Sequence, residues 1–218
     1  MSTYTSERRT NSTDETTIRS PAQVRALIAP ARQEIVDVLE SAGPCSVSTL
    51  ASLVGRPADA LYHHLRRLVR VGLVRETERR KQGRQVFAMY DLCMRPMRIS
   101  YDAPVRRQDI ARVFAAAQRM SWREFSRALQ AEAGVTDGPR RTLWGSRAKG
   151  WATPERLTRI NRLLAEVNEI VRTGGPIAGA VPIAVSFVLS PSPPADRAEA
   201  RPAKPRKTRN RKSTNDGN

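Results

Sequence analysis

Apolar residues recur at spacings of three and four over most of this chain, and they give way to short strand-like runs in two places. The first stripe holds Val24, Leu27, Ile28, Ile35, Val38 and Leu39. It predicts helix from Ala22 to about Ala42, started by Ser20-Pro21, broken at Pro30 and stopped at Gly43-Pro44. A short apolar helix follows from Ser46, with a tight turn at Gly55 and a second helix over 58–71. Leu73–Glu78 and Gln85–Tyr90 then suit a hairpin, joined by the basic segment Arg79-Arg-Lys-Gln-Gly-Arg84 with Gly83 allowing the turn.

Farther on, Ile110, Val113, Phe114 and Ala117 share one helical face and Trp122, Phe125 and Leu129 another. The phase slips near Ser121, which predicts a cap and a separate helix there. Gly134 to Trp151, rich in Gly, Arg and Trp, reads as a structured loop or hairpin. Thr153-Pro-Glu-Arg156 is a helix start of cap, proline and acid. Leu157, Ile160, Leu164, Val167 and Val171 continue it to Gly174-Gly175, and Leu163 and Ile170 widen its stripe. Val181 to Leu189 is an apolar run of strand-forming residues.

Four segments result. Residues 1–19 are Ser, Thr, Asn and charges, with Ile18 nearly the only large aliphatic residue, and are predicted to be a disordered N-terminal segment. Residues 20–92 form the two-helix-and-hairpin module, and 93–190 a helical C-terminal region for dimerisation and a possible effector. Residues 191–218 are a disordered basic tail, with seven basic residues and no acid between Arg201 and Lys212. The expected class is mainly α with a small β-hairpin wing (α+β): a winged helix-turn-helix plus a helical C-terminal region.

Charge adds a partner to this architecture. The formal net charge is +17, which calls for a polyanion, nucleic acid first and acidic membrane second. The two cysteines, Cys45 and Cys93, are too few for a disulfide framework and point to a reducing, cytoplasmic setting. No N-terminal apolar segment and no run of 18 apolar residues occurs, so neither secretion nor membrane spanning is expected.

At 100° per residue, helix 58–71 buries Leu61, Leu65, Leu68 and Val69. The opposite side carries Asp59, His63, Arg66, Arg67 and Arg70, with Tyr62 and His64 flanking it. A recognition helix reads bases with its N-terminal half. Ala58, Asp59, Tyr62 and His63 are therefore the candidates for base edges, and Arg56, Arg66, Arg67, Arg70, Arg80, Lys81 and Arg84 for phosphates. Taken singly, each arginine is better read as a solvated charge. The helix-turn and the hairpin together favour contact.

Val54-Gly-Arg-Pro-Ala-Asp-Ala-Leu-Tyr-His-His-Leu-Arg-Arg-Leu-Val-Arg-Val-Gly-Leu-Val74 resembles the helix-turn-helix of ArsR-type bacterial regulators. His64-Leu65, Gly72-Leu-Val74, and the Gly83-Arg84 and Tyr90 of the hairpin fall on that family's signatures. The likeness covers about 20–92. Gly138-Pro-Arg-Arg-Thr-Leu-Trp and Lys149-Gly-Trp look like a less characterised branch with a helical C-terminal extension. The resemblance implies a winged fold, double-stranded DNA as partner, and a transcriptional regulator that represses more often than it activates. Pro57 departs from the pattern, since many members have a capping Ser or Thr there.

Metal sensing, frequent in that family, is not expected. The cysteines are isolated, and adjacent His63 and His64 point about 100° apart on a helix. No cofactor or catalytic motif is found: there is no phosphate-cradling Gly loop, nucleophile elbow or HExxH. Trp122, Phe125, Trp144 and Trp151 are expected to pack in a core, with an effector pocket as the rarer use. The reading is a homodimeric, sequence-specific regulator, its dimer seam Leu157, Ile160, Leu164, Val167 and Val171. The rival readings are an architectural nucleoid protein without site preference and a protein-binding adaptor. Operator and effector are not encoded legibly.

Overall fold

A computed structural model of the chain describes residues 16–82, 85–101 and 104–192. The elements run β1 (Thr17–Ile18), α1 (Pro21–Ala26), α2 (Pro30–Ala42), β2 (Cys45–Ser46), α3 (Val47–Val54), α4 (Ala58–Arg70), β3 (Val74–Gln82), β4 (Gln85–Leu92), β5 (Arg98–Ile99), α5 (Arg107–Gln130) and α6 (Pro154–Thr173).

Local chemistry sets the helix ends. The Ser20 hydroxyl accepts from Ala22 N–H at 3.3 Å and Pro21 opens α1. Ala29 is extended because the ring of Pro30 excludes the helical conformation before it, so the first stripe becomes two helices. Ser46 Oγ accepts from Thr49 N–H at 3.1 Å and starts α3. Gly55 ends it in the left-handed conformation (φ 68°, ψ 36°), which a side chain would disfavour. This is the turn that fixes α4 across α3.

Strands β2, β4 and β3 form an antiparallel sheet in that order, with β4 central. Val74 pairs with Leu92 and Gln82 with Gln85, and a register shift between Glu76 and Arg79 bends the hairpin. Its base joins the core through Leu73, Val74 and Leu92, all buried.

The core is one cluster in which Val24, Ile35, Leu39, Leu50, Leu61, Leu65 and Leu68 are fully enclosed. Each such side chain contributes about 1.5–3 kcal/mol of apolar burial. Ile110 and Val113 of α5 belong to the same cluster. Gln33 ties the helices together, donating to Val113 O at 3.0 Å. The first half of α5 is thus structural support for the helix-turn-helix.

Several expectations change. Ile18, assigned to a segment outside any core, has 0% exposure, because Thr17–Ile18 pairs in parallel with Arg98–Ile99. Residues 1–15 lie outside the described residues. Ser121 caps nothing: α5 runs unbroken through it, since no Gly or Pro interrupts the backbone ladder. The apparent slip marks where α5 leaves the core. Asp109, Ile110, Val113, Ala116 and Met120 are buried, whereas Trp122 and Leu129 are exposed. Val181 to Leu189 forms no strand, because no sheet edge pairs with it. Within residues 1–187, which form one compact unit, Gln118 Nε2 donates to Ser186 Oγ at 2.5 Å. Residues 188–218 form the second unit, of which 188–192 are described and have no regular structure.

Helix α6 begins as expected, with Thr153 Oγ1 accepting from Arg156 N–H at 3.4 Å. It lies against α2, where Arg172 meets Glu40 at 3.4 Å. None of its residues is fully buried. Ile160, Leu164 and Val171 are half-buried, while Leu157, Leu163, Val167 and Ile170 are exposed.

Candidate nucleic-acid interface

Leu61, Leu65 and Leu68 fall at i, i+4 and i+7 and anchor α4 through one narrow face. Asp59, Tyr62, His63, Arg66, Arg67 and Arg70 are all exposed on the remainder. No side-chain bond caps α4: Pro57 holds the N-cap position, and its carbonyl accepts from Ala60 N–H at 3.1 Å. Asp59 in the first turn partly replaces the missing cap, since a carboxylate there faces the positive end of the helix dipole. Gln23 Nε2 donates to Val71 O at 3.1 Å and holds the other end.

Two placements differ from expectation. Val69, assigned to the buried face, is 39% exposed, because it sits at the edge of a stripe that three leucines already fill. Ala58 is half-buried against the core and offers little surface for a base contact. Arg56 is exposed but engaged, with Nη2 at 2.8 Å from Glu34 Oε2. Along the hairpin, Arg80 and Lys81 stand opposite Phe87 and Val86 in register, near the tip. Arg84 lies outside the described residues.

His64 is a residue whose burial the sequence did not signal. It is half-buried on the core side of α4, and its Nδ1 is enclosed without a hydrogen-bond partner among the described residues. Burial, with Arg32, His63 and Arg56 nearby, holds its pKa below the ordinary value of 6.5, while Glu34 opposes the shift weakly. The fold therefore favours neutral imidazole. Stability from this group is complete above about pH 6.5 and is lost as pH falls toward the lowered value, because the unfolded chain takes up the proton first. Melting temperatures of wild type and His64→Gln, measured across this window, should diverge, with wild type losing more on acidification. Parallel curves would reject the effect.

The cysteines are free, Cys45 buried and Cys93 exposed. Among the described residues, no group of three His, Cys, Asp or Glu side chains is arranged to hold a metal ion. No described helix is long and apolar enough to cross a membrane. The tryptophans are not core residues: Trp144 and Trp151 are 69% and 96% exposed. Trp122 borders an open depression of about 350 Å³ with Pro30, Ala116, Arg119 and Arg123.

Helices α3 and α4 with the β3–β4 hairpin make this a winged helix-turn-helix, extended by the helical region that follows. Residues 27–77 match the family described as a helix-turn-helix domain. No curated protein matches the chain. Among solved structures, it is similar to a possible transcriptional regulator for arsenical resistance, at 29% identity over 51% of this chain and 96% of that one, with a TM-score of 0.27. Transcriptional regulator PA4135 shares 15% identity over 69% of this chain and 84% of its own, TM-score 0.27. RV1404 from Mycobacterium tuberculosis shares 19% over 68% and 80%, TM-score 0.26.

Proposed function

We propose that this protein is a sequence-specific double-stranded DNA-binding transcriptional regulator of the ArsR type, acting as a homodimeric repressor. The carrying observation is α4 itself. Three leucines hold it by one face, and the rest presents Asp59, Tyr62, His63, Arg66, Arg67 and Arg70 to solvent. That surface is polar at the N-terminal half and cationic beyond it, the division a major-groove helix uses for bases and phosphates. The matched helix-turn-helix segment and the net charge of +17 support the same partner.

In this reading Tyr62 and His63 meet base edges, and Asp59 accepts from a cytosine amino group. Arg66, Arg67 and Arg70 bind phosphates, joined by the basic hairpin residues Arg80, Lys81 and Arg84. Arg56 contributes only after leaving Glu34. The repressor sense rests on the ArsR resemblance, and the dimer on the uncovered flank of α6.

Selection of genomic fragments on the full chain, followed by sequencing, tests site preference. One enriched near-palindrome supports the reading. Equal recovery of all sequences favours an architectural protein. At the selected site, Arg66→Ala and Arg70→Ala should each flatten the log affinity against log salt slope by about 0.9. Unchanged slopes would mean that these arginines are merely solvated.

A further inference from the structure

Between α5 and α6, residues 138–151 read Gly-Pro-Arg-Arg-Thr-Leu-Trp-Gly-Ser-Arg-Ala-Lys-Gly-Trp, four basic residues and two tryptophans without a carboxylate. Its first half, up to Gly145, is tied into the fold. Val135 N–H donates to Thr142 Oγ1 at 3.0 Å, and Val135 O accepts from Thr142 N–H at 2.8 Å and Leu143 N–H at 3.1 Å. Leu143 covers Gly134 so closely that a Cβ there would stand 2.6 Å from it. A Cβ at Gly145 would lie 3.5 Å from the Phe125 ring, so the segment rests on the exposed half of α5. The neighbouring carboxylates in sequence are Asp137, which accepts from Gly138 N–H at 2.7 Å, and Glu155 at the start of α6.

The chemistry this frame displays is specific. The Arg141 guanidinium lies 3.5 Å over the Trp144 ring, and Arg140, Arg147 and Lys149 are exposed. Almost all of Trp151 faces solvent. Two exposed indoles set among cations, the Trp144 ring beside the bonded turn and Trp151 farther along, match a ligand that is both planar and anionic. A nucleotide strand meets that description, its bases stacking on the rings and its phosphates on the guanidinium and ammonium groups. Bases inside an intact duplex present only edges. Ring faces require nucleotides that are unpaired.

We propose that residues 138–151 form a second nucleic-acid contact, which binds unpaired nucleotides by stacking on Trp144 and Trp151 and by phosphate contacts from Arg140, Arg147 and Lys149. The proposal rests on the DNA-binding reading above and adds a separate preference to it. In the cell this element engages single-stranded or locally opened DNA.

The full chain is titrated with a short labelled oligothymidine and, separately, with its selected duplex. Trp144→Ala/Trp151→Ala should weaken oligothymidine binding roughly tenfold or more and leave duplex binding within about twofold. Tyr62→Ala should do the reverse. Tryptophan emission of the wild type should be quenched by oligothymidine, and the double variant should lose that quenching. The exposure of both rings keeps the variant folded, which circular dichroism verifies. Unchanged oligothymidine affinity in the double variant overturns the proposal while leaving the duplex reading intact. So does wild-type affinity for polyphosphate or for anionic vesicles equal to that for oligothymidine, since bases would then contribute nothing. Loss of oligothymidine binding in the variant, in a protein without duplex preference, would retain this element and reject the regulator.

Discussion

A chain carrying Leu163→Asp and Ile170→Asp is expected to fold normally and to fail as a dimer. Both positions lie on the exposed edge of α6, at 48% and 65% exposure, so a carboxylate there meets water in the single chain. In a two-helix seam the same carboxylates would be buried unpaired. Ile160, Leu164 and Val171, half-buried on the other edge, are poorer test sites, because charge there would also disturb packing against the chain's own helices. Light scattering at micromolar concentration should give a dimer for wild type and a monomer for the variant. Two half-sites bound as one unit gain roughly 100-fold or more over one. Affinity for the near-palindrome should fall by that factor and affinity for an isolated half-site should hold. A wild type that is monomeric both free and on DNA sinks the dimer.

Removing the base readers should have the next largest effect. Tyr62→Ala and His63→Ala should each cost about 1–3 kcal/mol at the preferred site and little on random DNA at the same salt. Neither ring belongs to the core, so the loss is not one of folding. Tyr62 stands at the flank of the exposed face beside Val69, and His63 near its centre. A thermal melt of each variant should overlay wild type within about 0.5 kcal/mol of stability, as surface substitutions do. Equal losses on specific and random DNA would show that the side chain binds backbone only, and would move base reading elsewhere on α4. Pro57 leaves the N-cap of α4 without a side-chain bond, which Asp59 replaces only in part. Pro57→Ser should restore the cap and stabilise the helix by about 1 kcal/mol without supplying a base contact.

The elements were legible wherever a local rule set them. Ser20, Ser46 and Thr153 cap helices whether or not a body surrounds them, and Gly55 takes a conformation other residues avoid. The spacing of Leu61, Leu65 and Leu68 chose the buried face of α4, and with it the exposed face. Errors came where a pattern needed a partner to acquire meaning. Val181 to Leu189 has strand composition, but a strand exists only against another strand. Ile18 is isolated in a polar segment, and its burial depends on pairing with Ile99 of β5, far away in sequence.

By itself, then, the sequence determined the helix-turn-helix, its hairpin and the identity of the exposed side chains, because spacing, capping and turn chemistry act within a few residues. Only the tertiary structure decided how far the core reaches. It covers the first half of α5 and stops at Met120, so Trp122, Trp144 and Trp151, which composition assigns to an interior, stand at the surface. It also turned His64 inward and left one edge of α6 uncovered. Burial is a property of what lies opposite a residue, and neighbours in sequence do not carry it.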